Sequence, residues 1–143
     1  SAIDVPFFVI NADILTNINY IEVIDHHNKN KSFATMCVRQ YKHQIPYGVV
    51  ESNSDMRITA IDEKPEISFD INAGVYLLDP CIIDHIPNDE FYDMPSLFEK
   101  LITEGLKSSV YRIDDYWLDI GGKEDFLKAN MDIQGYSNKD KEI

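Results

Sequence analysis

The chain has 143 residues, 44% hydrophobic and 27% charged, which is typical of one soluble globular domain. Its formal net charge of −12, from 25 acidic and 13 basic residues, argues against nucleic acid and anionic membranes as partners, because polyanions would be repelled. The lack of a long apolar run or a basic-then-apolar leader argues against membrane insertion and secretion, and two cysteines without CxxC spacing favour a reducing cytoplasm.

The first part of the chain predicts a strand and then a helix. The apolar run at residues 6–10 is short and continuous, which predicts a strand buried on both faces, as in a parallel sheet. A helix is expected at about residues 20–31, with Asn17 or Asn19 as its N-cap. One side of this helix carries Ile21, Ile24 and His27 or Asn28.

The middle of the chain is typical of strands joined by turns. Residues 32–41 alternate with β-branched and aromatic side chains and predict a strand. Residues 46–51 and 58–64 predict a hairpin around the polar turn residues between them, because Pro65 ends the second strand. Residues 70–78 predict another strand, and the glycine inside it indicates a close backbone approach.

The last part of the chain predicts three helices and two short strands. The helices are expected at residues 80–86, 95–104 and 122–131, and the strands at 109–113 and 116–118. Gly105 is expected to close the second helix. Mixed strands and helices predict an α/β fold with a mixed sheet over residues 1–134, followed by a fraying polar tail at 135–143.

Two aspartates lie at strand ends, where open α/β sheets bind their ligands. Asp13 follows the first predicted strand, and Asp119 follows the strand at 116–118. Each has an ordinary alternative, since Asp13 also suits a turn and Asp119 the N-cap of the last helix. If the two are adjacent in space, their carboxylates supply the hard oxygen ligands that Mg²⁺ prefers.

Other positions have the chemistry to bind a phosphorylated, hydroxyl-rich ligand. Lys64 can neutralise a phosphate and Glu63 can accept hydrogen bonds from hydroxyls, and in an extended segment these neighbours point to opposite faces. Gly48 and the 72–74 segment suit a close approach of backbone amides to a ligand, and Asn72 both donates and accepts hydrogen bonds. Taken singly, each also fits a surface charge, a turn or a bulge.

Five short motifs in a fixed order connect these positions. They are FVINAD at residues 8–13, PYGVV at 46–50, IDEKP at 61–65, NAGVY at 72–76 and YWLDIG at 116–121. In this order they resemble the sugar-1-phosphate nucleotidyltransferases of the mannose-1-phosphate guanylyltransferase and glucose-1-phosphate thymidylyltransferase type. The resemblance implies a Rossmann-like mixed sheet of the nucleotide-diphospho-sugar transferase type. It also implies attack of a sugar-1-phosphate on a nucleoside triphosphate, which gives a nucleotide sugar and pyrophosphate.

The resemblance also implies roles for individual residues. Asp13 and Asp119 match the two aspartates that bind Mg²⁺, and Lys64 matches the lysine that grips the sugar phosphate. The implied catalytic residues are therefore Asp13, Lys64 and Asp119. The residues implied to bind the substrate are Gly48, Glu63, Lys64, Asn72, Gly74 and Trp117.

Two departures from the family pattern bear on activity. Ala12 replaces the usual glycine, and its methyl group either crowds the nucleotide or is tolerated. The family's glycine-rich triphosphate loop precedes the first motif, and neither GxGxxG nor GxxxxGK[ST] occurs in this chain. The resemblance is therefore to the C-terminal portion of the domain, without the N-terminal nucleotide-binding part. We expect the 143-residue chain to be inactive alone and its uncovered sheet edge to favour homo-oligomers.

Two other functions stay open at this point. A metal-dependent glycosyltransferase shares a related fold but usually presents Asp-x-Asp, whereas residues 11–13 read Asn-Ala-Asp. A non-catalytic sugar-phosphate-binding regulatory module is the second alternative, although both aspartates and Lys64 are present. The Glu-Lys-Pro segment favours nucleotidyl transfer.

Overall fold

The computed structural model describes residues 3–139, with side chains as far as Ile133. The chain divides into two compact units, one of residues 1–38 and 72–143 and the other of residues 39–71. Within the described range no helix is long and apolar enough to cross a membrane. In chain order the elements are β1 (Phe7–Ile10), β2 (Ile14–Thr16), α1 (Tyr20–Asn30), β3 (Ala34–Gln44), β4 (Gly48–Ser52), β5 (Ile58–Glu63), β6 (Glu66–Leu78), a 3₁₀ helix (Pro80–His85), α2 (Met94–Thr103), β7 (Ser108–Arg112), β8 (Trp117–Asp119) and α3 (Lys123–Lys139).

A four-stranded mixed sheet with the strand order β1-β6-β3-β7 organises the first unit. β1 is antiparallel to β6, and β3 is parallel to β7. Successive side chains of a strand point to opposite faces, so β6 serves two cores. One core contains Ala73, Val75 and Leu77 together with Val23 of α1. The other contains Tyr76 and Leu78 together with Leu97, Phe98 and Leu101 of α2. The predicted α/β fold with a mixed sheet is confirmed.

The strand predicted at residues 6–10 exists, but its burial and the direction of its neighbouring strand differ from the prediction. β1 lies at an edge of the sheet and is antiparallel to its neighbour β6. Phe7, Phe8 and Val9 are half-buried, and Ile10 is 41% exposed. The prediction of a strand buried on both faces in a parallel sheet is therefore wrong. A run of four apolar residues reveals a strand but not the number or direction of its neighbours.

Helix α1 has the predicted position, and of the side named from the sequence His27 is buried but Ile21 is not. Its N-cap is Asn19, whose side-chain oxygen accepts a hydrogen bond from the Ile21 amide at 3.1 Å. The buried residues of α1 are Val23 and His27, whereas Ile21 is 70% exposed. His27 is buried with hydrogen bonds to its ring, including one of 2.8 Å between Nδ1 and the Thr35 hydroxyl, whereas the buried Val23 was not on the side named from the sequence.

The later helices differ from prediction mainly in type and length. The predicted helix at 80–86 is a 3₁₀ helix, and α2 ends as expected before Gly105, whose φ is 73°. α3 continues to Lys139 instead of ending near residue 131, and it crosses the expected boundary between residues 134 and 135. The rest of the predicted polar tail, residues 140–143, lies outside the described residues.

The second unit contains the predicted hairpin. β4 and β5 are antiparallel, with Gly48 opposite Glu63. Asn53 stabilises the turn, since its side-chain oxygen accepts hydrogen bonds from the amides of Asp55 and Arg57, both at 3.0 Å. All of residues 39–71 are described, and none of them is fully buried.

Candidate functional site

The short ribbon of β2 and β8 brings Asp13 and Asp119 to neighbouring positions in the first unit. The strands are antiparallel, and Asp119 lies opposite Ile14, the residue that follows Asp13. The Ile120 amide donates to the Asp13 carbonyl at 2.8 Å. Residues far apart in the sequence are therefore adjacent across one backbone ladder.

The carboxylates of Asp13 and Asp119 are exposed and available to a ligand. Among the side chains that the structure describes, none hydrogen bonds or forms an ion pair with either carboxylate. Asp119 is not a helix cap, because α3 begins at Lys123 and Gly122 accepts the first helical bond, from Phe126, at 3.0 Å. The N-cap alternative for Asp119 is therefore excluded.

The donor set of these two residues suits Mg²⁺. Mg²⁺ prefers hard oxygen ligands and is often bound by only one or two protein carboxylates, with water and phosphate oxygens completing its octahedron. Across residues 3–139 no group of three or more His, Cys, Asp and Glu side chains is placed to hold a metal by itself. Two carboxylates alone leave the other positions of an octahedral Mg²⁺ to water or substrate oxygens.

Gly74 of β6 supports the turn that carries Asp13. The Gly74 carbonyl accepts a hydrogen bond from the Asn11 amide at 2.9 Å. Its φ of 70° is in the left-handed region, and a Cβ there would lie 3.0 Å from both Asn11 Nδ2 and Ile14 Cγ1. The close approach predicted for this glycine is therefore confirmed, and the group that approaches is the protein's own turn.

Asn72 uses most of its hydrogen-bonding capacity within its own strand. Its side-chain oxygen accepts from the Gly74 amide at 2.9 Å, and its Nδ2 donates to the Tyr76 hydroxyl at 2.7 Å. Burial raises the pKa of Tyr76, which keeps this phenol protonated. Asn72 therefore stabilises the bend at Gly74, and one amide hydrogen remains for another partner.

Trp117 ties β8 to β6. Its indole Nε1 donates to the Ala73 carbonyl at 2.8 Å, and its half-buried ring packs against the core that contains Val75. Asp13, Asn72, Gly74, Trp117 and Asp119 are thus connected by contacts within the first unit.

In the second unit, Gly48 makes room for the carboxylate of Glu63. The two residues are opposite each other in the hairpin, and a Cβ on Gly48 would lie 2.7 Å from Glu63 Oε2. Such a contact is too short, so a larger residue at position 48 would displace the carboxylate. The sequence indicated a special role for this glycine but not its partner.

Lys64 follows β5 in a conformation that the sequence did not predict. β5 ends at Glu63, and the φ of Lys64 is 53°, so the prediction of two extended neighbours on opposite faces is wrong. The left-handed backbone is held by the Lys64 amide, which donates to the Tyr47 carbonyl at 3.3 Å. Such strain in a non-glycine residue is frequent at functional sites.

Asn11 is the residue of this region to which sequence reasoning gave no role. It lies within the first motif, two positions before Asp13, the residue of that motif to which a metal-binding role was assigned. Its amide donates to the Gly74 carbonyl, and its side chain occupies the space that a Cβ at position 74 would enter. The glycine at position 74 indicates that another group approaches the strand closely. The structure identifies that group as Asn11, which the sequence alone does not.

Known proteins share this chain's sequence pattern and fold. Residues 2–135 match the nucleotidyl transferase family. Over 133 residues the chain is 31% identical to a UTP–glucose-1-phosphate uridylyltransferase from Synechocystis sp., which covers 88% of this chain and 34% of that protein. Over 131 residues it is 32% identical to a mannose-1-phosphate guanyltransferase from Yarrowia lipolytica, with 88% and 35% covered.

A solved structure agrees with these relatives. The crystal structure of HddC from Yersinia pseudotuberculosis superimposes with a TM-score of 0.60 and 25% identity, over 90% of this chain and 55% of that one. The chain spans about a third of the length of the two curated relatives, 34% and 35%. With the match over residues 2–135 and the shared fold, the chain belongs to the nucleotidyl transferase family.

Proposed function

We propose that a protein carrying this chain transfers a nucleotidyl group from a nucleoside triphosphate to a sugar-1-phosphate, giving a nucleotide sugar and pyrophosphate. The observation that carries the proposal is the placement of Asp13 and Asp119 at neighbouring positions of the β2–β8 ladder, where Asp119 lies opposite Ile14 and the Asp13 carbonyl accepts from the Ile120 amide. The names of the two curated relatives support it, since both describe transfer to a sugar-1-phosphate. In this reading the present chain supplies residues for the metal and the sugar phosphate.

Asp13 and Asp119 would hold Mg²⁺ between them. Bound Mg²⁺ neutralises charge on phosphate oxygens and orients them. The chain's own contribution is to keep Asp13 and Asp119 at neighbouring backbone positions on a hydrogen-bonded ribbon, which limits the rearrangement needed on binding. Neither carboxylate pairs with any side chain in the described part of the chain, which supports this role.

Lys64 and Glu63 would bind the sugar phosphate. The Lys64 ammonium has no ion-pair partner among the described side chains, unlike Lys42, which pairs with Glu66 at 2.7 Å. It can therefore neutralise a phosphate. The Glu63 carboxylate, for which Gly48 leaves space, can accept hydrogen bonds from sugar hydroxyls.

Asn72, Gly74 and Trp117 would complete the sugar-binding residues. The remaining amide hydrogen of Asn72 can donate to a hydroxyl, while Gly74 and Trp117 hold that segment against the Asn11 turn and β8. None of these groups forms a covalent bond in the proposed reaction. Their effect is to align the reacting groups and to neutralise charge.

The proposal is tested by binding Mn²⁺, as a paramagnetic stand-in for Mg²⁺, together with mannose-1-phosphate or glucose-1-phosphate. The full 143-residue chain should enhance the ³¹P relaxation of the sugar phosphate only when Mn²⁺ is present. Asp13→Asn and Asp119→Asn should each abolish the enhancement, because a neutral amide is a poor ligand for a hard cation. Unchanged relaxation in either variant contradicts the metal assignment.

Lys64 and Gly48 are tested in the same experiment. Lys64→Ala should weaken sugar-phosphate binding by roughly tenfold or more, the effect of a charge-assisted hydrogen bond, whereas Lys42→Ala is the surface-lysine control. Gly48→Ala should weaken binding through the displaced Glu63 carboxylate while the free energy of unfolding changes by less than about 1 kcal/mol, since the crowded atom ends a flexible side chain. Equal effects of Lys42→Ala and Lys64→Ala would reject the phosphate role.

A further inference from the structure

The β2–β8 ribbon that carries Asp13 and Asp119 is very short. Its register comprises three residue pairs, Ile14 with Asp119, Leu15 with Leu118 and Thr16 with Trp117. An isolated two-stranded ribbon is marginally stable at best. A slip of one residue would turn the Asp119 side chain to the other face, and a slip of two would move it about 7 Å along the strand. Something outside the ladder must therefore fix the register.

Tyr116, the residue before β8, is held at the ribbon's other end by its backbone. Its carbonyl accepts a hydrogen bond from the Thr16 hydroxyl at 2.8 Å and another from the Asn17 amide at 3.3 Å. The Thr16 hydroxyl in turn accepts from the Ile18 amide at 3.3 Å. These bonds join the end of β2 to the start of β8, opposite to the end where Asp13 and Asp119 lie.

The side chain of Tyr116 is held by a second element. Its hydroxyl donates to Asp132 Oδ2 of α3 at 2.5 Å, a length typical of a charge-assisted hydrogen bond. α3 buries Ala129 and half-buries Asp132, while Met131 of the same helix is 69% exposed. Turning a carboxylate inward costs free energy unless it is paired. The contact with Tyr116 supplies that pairing and connects α3 to β8.

We propose that Tyr116, held by Asp132, is a positioning residue that fixes the register of β8 against β2 and thereby the separation of the Asp13 and Asp119 carboxylates. The inference rests on the proposed function, since it concerns the same metal-binding pair. Tyr116 itself touches neither carboxylate in the contacts described above. It acts through the three residues of β8 that follow it.

The test is Mn²⁺ binding by the full 143-residue chain, measured by electron paramagnetic resonance. Tyr116→Phe, which removes only the hydroxyl, should raise the Mn²⁺ dissociation constant by roughly three- to tenfold, the effect of one lost hydrogen bond. Asp132→Ala should do the same, and the double variant should be no worse than either single one, because both remove one interaction. Asp132→Asn keeps an oxygen acceptor without the charge, so it should weaken Mn²⁺ binding less than Asp132→Ala does.

A second readout is independent of the metal. The Ile120 amide, which bonds to the Asp13 carbonyl, should exchange its hydrogen several-fold faster in Tyr116→Phe, whereas amides in the buried part of β6 should not change. Faster exchange at all amides alike would show a general loss of stability and overturn the positioning role. An unchanged Mn²⁺ affinity in Tyr116→Phe would also overturn the positioning role. Equal losses of Mn²⁺ affinity in Asp132→Asn and Asp132→Ala would overturn it as well, because they would show that the charge of Asp132 matters and its hydrogen bond does not.

The failure of this inference is distinguishable from that of the proposed function. Mn²⁺ affinity that survives Asp13→Asn would overturn the metal site itself. Affinity that is lost in Asp13→Asn but unchanged in Tyr116→Phe would overturn only the positioning role of Tyr116.

Discussion

Two glycines of the first unit have the same backbone conformation in different surroundings. The φ of Gly74 is 70° and that of Gly105 is 73°. A Cβ on Gly74 would meet Asn11 and Ile14 at 3.0 Å, whereas a Cβ on Gly105 would meet nothing within 4 Å. The pair therefore separates the cost of a left-handed backbone from the cost of crowding.

We expect Gly105→Ala to lower the free energy of unfolding by about 1–2 kcal/mol, the cost of a left-handed alanine. Gly74→Ala should cost that amount and roughly 1–3 kcal/mol more, because the Asn11 turn must move. Urea unfolding of both variants measures the difference. Equal losses in the two variants would mean that the Asn11 turn yields freely and does not hold Asp13 in place.

For single residues, the sequence indicated which side chains have the chemistry to bind a ligand, but it did not indicate which neighbours those side chains contact. Asp13 and Asp119, singled out as strand-end residues, occupy neighbouring backbone positions across β2 and β8, while their roles stay predictions. The internal hydrogen bonds of Asn72 and the left-handed φ of Lys64 were not predicted. Both depend on the exact local backbone, which residue type constrains only weakly when the residue is neither glycine nor proline.

Among the secondary-structure elements, α1 is docked through a polar core residue. His27 is 2% exposed; its Nδ1 lies 2.8 Å from the Thr35 hydroxyl of β3, and its Nε2 lies 3.3 Å from Asp79 Oδ1. The neighbouring His26 is half-buried, and its Nε2 has no hydrogen-bond partner among the described residues. Only His27 therefore connects the helix to the sheet by hydrogen bonds through its ring.

We expect His27→Ala to lower the free energy of unfolding by roughly 2–4 kcal/mol, because it leaves a cavity and removes one of the two hydrogen-bond partners of the buried Thr35 hydroxyl, the other being Ser109. His26→Ala is the matched control and should cost about 0.5–1.5 kcal/mol, the worth of its aromatic contact with Tyr111. Thermal unfolding of the two variants at the same pH compares them. A larger loss in His26→Ala would contradict this account of how α1 is docked.

Element positions were predictable because strands and helices differ in hydrophobic period. The hairpin of β4 and β5 and the span of α1 follow the sequence closely. The inward side of α1 was predicted only in part, through His27, and the neighbours of β1 were not predictable. The first depends on a hydrogen-bonded histidine and the second on pairing with β6, and neither tertiary contact is visible in local periodicity.

For the whole molecule, the order of five motifs carried more information than any one of them. It predicted the fold class and the family, to which residues 2–135 match. What the order does not predict is the network that holds β8, since Asp132 lies outside every motif. A family resemblance identifies the residues that lie within the motifs. The contacts that hold those residues in place can come from side chains outside the motifs, as with Asp132.

The composition of the whole chain leads to the last prediction, which concerns catalysis. Binding a triphosphate needs backbone amides in a glycine-rich loop and basic side chains, and these 143 residues contain neither phosphate-loop pattern and carry a net charge of −12. We therefore expect the chain alone to release no pyrophosphate from any common nucleoside triphosphate with Mg²⁺ and glucose-1-phosphate or mannose-1-phosphate, although it still binds the sugar phosphate. A coupled pyrophosphate assay checks this, with Asp13→Asn as the control for contaminating enzymes. Release that Asp13→Asn abolishes would show that this chain binds and aligns the nucleotide by residues other than a glycine-rich loop.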